Sequence, residues 1–217
     1  MAGILANNVL DDMTNTAAAD MARAESLVGQ ALAAAPRSTS VHWAKGQILR
    51  AQRRYVEAIP EYEAVLASNR NSARALFCLG QCKLFAGSIE ETIPLIEQAM
   101  RLSPRDPRPA AWYFTTGWVH LLQSRTDEAV AWLERARNTA PAHAQMRAWL
   151  AAAYALRGET ERAATELAEA RWLSGDDRYS SLARLRAVLN YWGAPKVRAL
   201  FEATYFTGLK LAGMPEE

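Results

Sequence analysis

Cys78 and Cys82 lie four residues apart, the spacing of one helical turn. Their C-x3-C pattern matches neither a zinc knuckle nor a redox C-x-x-C. They read as small packing residues, with an oxidisable pair as the alternative. His42, His120 and His143 are scattered, and none has a histidine or carboxylate four residues on to complete a pair of ligands. No metal site is expected from them. The signatures of phosphate cradles and of the nucleophile elbow, G-x-G-x-x-G, G-x-x-x-x-G-K-[ST] and G-x-S-x-G, do not occur. No cofactor is expected. Glu61, Glu63, Glu90 and Glu91 fall where a solvated helix face would carry them. Arginines cluster at Arg50, Arg53 and Arg54, and again at Arg105 and Arg108. Both clusters sit at or near expected helix ends, where the macrodipole favours cations. Nucleic-acid binding would need a basic stripe along one face, and the sequence has none. A chain without these devices is not expected to be an enzyme.

What must position these side chains is a repeat of helices. Half of the 217 residues are hydrophobic and 43 are alanine, the best helix former. A small residue followed four places later by a large apolar one recurs as Ala24/Val28, Ala58/Tyr62, Thr92/Ile96, Ala129/Leu133 and Ala163/Leu167. The steps between small residues are 34, 34, 37 and 34. Gly46, Gly80, Gly117 and Ala151 keep the same phase, as do Pro36, Arg70, Pro104, Pro141 and Gly175. The three extra residues fall in Arg105-Asp106-Pro107-Arg108-Pro109, a stretch unable to continue a helix. Each unit therefore reads as two amphipathic helices and a short turn. In the third unit these run from about 74 to 86 and from about 90 to 102. Pro60 and Pro94 repeat in phase near the second-helix starts, where a missing N–H costs little.

Charge and hydropathy remove other classes. Twenty-five basic against twenty-three acidic residues leave +2, so no strong field points to a membrane surface or to nucleic acid. No apolar run reaches the roughly 18 residues of a membrane span, and the N-terminus lacks a signal-peptide pattern. Two cysteines cannot staple a fold, so a cytoplasmic setting is expected.

The units resemble the tetratricopeptide repeat, W-x2-L-G-x2-Y, then A-x3-F, then P. Leu79-Gly80 with Pro104 matches it, as do Gly117 with Ala129 and Pro141, and Leu150, Tyr154 and Ala163. Departures are His42, Leu76, Tyr113 and Arg147 at the Trp position, Thr92 for alanine, Arg70 and Gly175 for the closing proline, and Asp12 for glycine. The resemblance implies an all-α, right-handed solenoid of five helix pairs over 1–177. The units are 5–38 (degenerate), 39–72, 73–106, 110–143 and 144–177. Residues 178–217 read as capping helices: 178–192 with Leu182, Leu185, Leu189 and Trp192, and 196–212 with Val197, Leu200, Phe201, Tyr205 and Leu209. The tail from Ala199 to Glu217 is also similar to the ends of tetratricopeptide regions that follow class III adenylate cyclase domains in rhizobial signalling proteins. Cyclase chemistry needs paired aspartates on a mixed sheet, and no strand pattern here could carry them.

By resemblance, the first helix of each unit lines a concave groove. The positions implied are Trp43, Gln47 and Arg50; Arg74, Phe77, Gln81 and Phe85; Ala111, Phe114, Trp118 and Leu122; and Gln145, Ala148 and Ala152. So aromatic a row is expected to be covered. The candidates are a segment of another protein or of another domain of the same parent, this chain's own C-terminal helix, or a second copy in a homodimer, with plain solvent exposure as the remaining outcome. The expected function is that of a non-catalytic interaction scaffold. The alternative is a regulatory region of a larger enzyme, such as a class III adenylate or guanylate cyclase. Chaperone-type recognition of an acidic C-terminus is not expected, because the Lys/Asn/Arg clamp positions hold Trp43, Gln47, Ala111 and Thr115.

Overall fold

The computed structural model of the protein describes residues 17–107, 109–188 and 193–217. The start of the first expected unit with Asp12, and Arg108, Leu189 and Trp192, lie outside the described residues. The described residues up to Pro104 form one compact unit, and those from Arg105 to Glu217 a second. The division falls in the proline-rich insert, and 178–217 belongs with the second unit instead of standing as a separate region. Among the described residues there are helices and no strand.

The first unit contains α1 (Ala17–Ala34), α2 (Thr39–Ala51), α3 (Tyr55–Ser68), α4 (Ala73–Ala86), a 3-10 turn at Ile89–Glu91 and α5 (Thr92–Leu102). Each helix packs on the next in sequence. The second unit contains α6 (Pro109–Leu122), α7 (Thr126–Thr139), α8 (Ala144–Leu156), α9 (Thr160–Ser174) and the short α10 (Leu182–Val188). Its last helix runs from α11 (Pro195–Phe201) through a π turn at Glu202–Phe206 into α12 (Thr207–Leu211). Pro60 lies well inside α3, not at its start, and the carbonyl it deprives of a donor belongs to the exposed Val56.

The small residues of the repeat sit where helices meet. A Cβ on Gly117 would stand 2.8 Å from Leu133 Cγ, and one on Gly46 would stand 2.8 Å from the Tyr62 ring. Ala58, Thr92, Ala129 and Ala163 are all fully buried. Thr92, the departure from alanine, donates its hydroxyl to the Gly80 carbonyl at 3.2 Å, so its polar atom is satisfied inside the core. The turns inside the helix pairs also repeat: Arg53, Gly87, Ser124 and Gly158 are all left-handed, with φ of 63°, 101°, 59° and 86°.

The departures at the Trp position follow a rule of their own. Each has a partner nineteen residues later, on the second helix of the same unit. His42 Nδ1 meets Glu61 Oε2 at 2.7 Å, and Arg147 Nη1 donates to Glu166 Oε2 at 2.8 Å. Tyr113 packs against Trp132 with ring centroids 5.8 Å apart. Leu76 and Leu95 hold the corresponding places in the third unit. Polar meets polar and apolar meets apolar, so a replaced tryptophan leaves no mismatch.

Candidate partner-binding faces

On the first unit, α2 and α4 present their expected groove residues in register. The Arg74 guanidinium lies over the Trp43 ring, 5.0 Å from its centroid. One turn along α2, Gln47 Oε1 accepts from Tyr62 Oη, and Cys78 Sγ lies 3.6 Å from it. At the far end Arg50 donates to Gln47 Oε1 at 3.0 Å, to Cys78 Sγ at 3.2 Å and to Gln81 Oε1 at 2.5 Å. Phe85 closes this end, stacked on Tyr55 with centroids 4.5 Å apart. Gln47 and Phe85 are buried, Trp43, Arg50, Phe77 and Gln81 are half-buried, and Arg74 is partly exposed. Burial alone would lower the pKa of Arg50, but Cys78, Tyr62 and Cys82 outweigh it and raise it, so the guanidinium stays charged. The Cys82 thiol is pushed up to about 12 by its burial, which removes thiolate chemistry.

On the second unit the corresponding face is covered by the chain itself. The helix from α11 through the π turn to α12 packs on α8 and α6, the first helices of the fifth and fourth repeats. It does not serve only as an end cap, the role expected for 178–217. Phe201 meets Trp118 and Trp149 edge-on at 5.8 and 5.5 Å, and Tyr205 stacks on Trp149 at 4.0 Å. Trp118 is covered in this way, at 6% exposure; Phe114, which packs on Trp118 and Trp149, and Leu122 are buried as well, at 8% and 0%. The close approach is made by Gly208, where a Cβ would stand 2.5 Å from the Ala152 carbonyl oxygen and 2.8 Å from its Cα. Ala148 and Ala152 are both fully buried. The π turn admits an extra residue, so Thr204, Tyr205 and Phe206 are all buried in succession. Arg186 clasps the outside, pairing with Glu202 at 2.9 Å and with Glu216 at 2.7 Å.

Gln145 stands apart from this aromatic cluster and lines a shallow cleft with His143, Leu173 and Tyr179. Trp149, central to the covered face, is not among the expected groove positions. Its sequence signal is size: Ala44, Cys78 and Thr115 occupy the same place in the preceding units. No cluster of three or more metal-ligating side chains occurs among the described residues. No helix among them is long and apolar enough to cross a membrane.

Two family profiles, both described as tetratricopeptide repeat, match residues 17–74 and 71–142. Together they span 17–142, more than half of the chain. The chain belongs to the tetratricopeptide repeat family. Among solved tetratricopeptide-like structures, PilF of Pseudomonas aeruginosa aligns with a TM-score of 0.67 at 18% identity, over 93% of this chain and 89% of that one. TTC0263 of Thermus thermophilus aligns at 0.63 and 18% identity, over 87% and 100%. YrrB, described as a tetratricopeptide protein with an unusual peptide-binding site, aligns at 0.57 and 15% identity, over 85% and 95%. At such identities these likenesses speak for the solenoid fold. No curated protein matches the sequence.

Proposed function

We propose that the protein is a non-catalytic scaffold that binds a segment of a partner protein on the α2/α4 face of its first unit. The contacts would be Trp43, Arg50, Arg74, Phe77 and Gln81, with the buried Gln47 beneath them holding Arg50 and Phe85 at the closed end. The observation that carries this reading is the contrast between the two units. Trp118 is already covered by Phe201 of α11, and Phe114 and Leu122 are buried, whereas Trp43, Arg74 and Phe77 keep solvent access. Trp43 and Phe77 are half-buried, so binding would cover the remaining part of the about 150–250 Å² that an aromatic side chain buries in full, an anchor for a short segment. YrrB's described peptide binding on the same fold supports the class of ligand.

Peptides selected from a random display library against the whole chain test the reading. Binding should fall sharply in Trp43→Ala and Phe77→Ala and persist in Trp172→Ala, which alters an exposed residue elsewhere. Selected peptides indifferent to the first two changes would sink it.

The tail's similarity to tetratricopeptide regions behind class III cyclase domains supports a second reading, in which the segment belongs to a catalytic domain of the same polypeptide. Overlapping peptides from the coding sequence around this chain, bound in a Trp43-dependent way, are the expected result. Gel filtration separates both readings from a homodimer.

A further inference from the structure

Arg50 is a charge where the repeat calls for an apolar core residue. Leu84, Leu121 and Ala155 hold the same place in the third, fourth and fifth units, and all are buried. Arg50 instead points its guanidinium at two amide oxygens and a thiol, and among the described residues no carboxylate pairs with it. Arg74, at the other end of the same face, has the Trp43 ring as its neighbour and likewise no carboxylate. Elsewhere among the described residues buried and half-buried carboxylates are paired with cations: Glu61 with Lys45 and His42, Glu166 with Arg137 and Arg147, and Glu134 with Arg162. A partly desolvated cation without a counter-charge is costly. On a face that otherwise offers aromatic rings, two side-chain amides and a second arginine, it is a natural seat for an anion.

We propose that the segment bound on the α2/α4 face carries an acidic side chain that seats on Arg50, next to apolar or aromatic residues packing on Trp43 and Phe77. The proposal rests on the binding face assigned above and adds the chemistry of its occupant. Gln47 and Gln81 accept hydrogen bonds from Arg50 and so fix the fork of the guanidinium, leaving its remaining donors for a carboxylate. Arg74 adds a second positive charge near the far end. The ligand differs in kind from the aromatic helix that fills the second unit. There Trp149 supplies a stacking surface, and here its equivalent is the small Cys78.

The test uses the whole chain and peptides enriched from the display library, labelled and titrated by fluorescence anisotropy. The enriched peptides should share an Asp or Glu beside an aromatic or aliphatic residue. Replacing that acid by Asn or Gln should weaken binding by at least about tenfold, the usual worth of a hydrogen bond to a charge. Arg50→Met should weaken it as much, and the two changes together should cost little more than either alone. Binding should also weaken with added salt. Peptides that need Trp43 yet tolerate both the amide exchange and Arg50→Met overturn the acidic anchor and leave the binding face standing. Peptides that do not need Trp43 overturn the face itself. Should Arg50→Met fail to fold by circular dichroism, the amide exchange in the peptide, measured on the unaltered protein, decides alone.

Discussion

Trp149 and Tyr205 lie face to face, with ring centroids 4.0 Å apart and planes 12° from parallel. One residue belongs to the repeat and the other to the segment that follows it, so the stack joins the C-terminal helix to the face of the fourth and fifth repeats. Such a pair adds about 0.5–1.5 kcal/mol to the burial of its area. The helix is thus an internal ligand of the second unit.

That arrangement makes Gly208 sensitive. A Cβ there would fall 2.5 Å from a backbone oxygen of Ala152, and backbone cannot step aside as a side chain can. Gly208→Ala is expected to destabilise by about 1–3 kcal/mol. Gly29→Ala, in α1 with nothing within 4 Å of the new atom, should instead stabilise by about 0.5–1 kcal/mol. Denaturant midpoints of the two variants check this. A neutral Gly208→Ala would mean that α12 does not rest on Ala152.

The four inner turns supply a stabilising substitution. Gly87 and Gly158 adopt a left-handed φ freely, but Ser124 does so at 59° with a side chain attached. That conformation costs an L-residue about 1–2 kcal/mol, against about 0.5–1 kcal/mol for the added freedom of glycine in the unfolded chain. Ser124→Gly should therefore gain about 0.5–1 kcal/mol and raise the melting temperature by a few degrees. Calorimetry showing a drop would contradict the strain argument.

Acid should loosen the first unit. Burial would raise the pKa of Glu61, but hydrogen bonds from Lys45 and His42 outweigh it and hold the carboxyl below its usual value. The unfolded chain therefore binds the proton more readily than the native one. The stability this provides is complete above the ordinary carboxylate pKa of about 4.3 and is lost as the pH falls through the lower native value. Glu61→Gln should flatten the acid limb of a melting-temperature profile relative to the unaltered chain. Two superimposable acid limbs would show that Glu61 has no part in it.

Cys78 and Cys82 should resist modification in the native state. Both are buried and free, and the Cys82 thiol is raised to about 12. A thiol reagent at neutral pH should label them only as fast as the first unit opens, and denaturant should release both at once. Immediate native labelling of both would restore the oxidisable-pair reading.

The helical phase can be read from residue types because glycine and alanine recur wherever two backbones meet, as Gly117 against Leu133 shows. The polar partners of the tryptophan-site departures are harder to see, since each needs a second residue nineteen places on and on another helix. What covers the aromatic row is not legible in the sequence. The residues show that the last helix has an apolar face with Phe201 and Tyr205, and the short turn before it suggests an end cap. Its seat is decided by how closely Gly208 can approach Ala152, which only the three-dimensional path reveals. Trp149 escapes the family pattern, which points to Ala148 and Ala152 on either side of it. Arg50 reads from the sequence as a helix-end cation, since its lack of a carboxylate is a fact about neighbours in space.

The nineteen-residue partnership has a consequence for how such an array can change over generations. His42 with Glu61, Tyr113 with Trp132 and Arg147 with Glu166 each lie within a single repeat. A stretch of the gene copied or exchanged in blocks of one unit carries both members of the pair, so the new copy arrives internally matched. A crossover that cuts between the two helices of a unit would instead set a glutamate against a tyrosine or a leucine. Inheritance by whole units is therefore tolerated, and the half-unit is where recombination is punished.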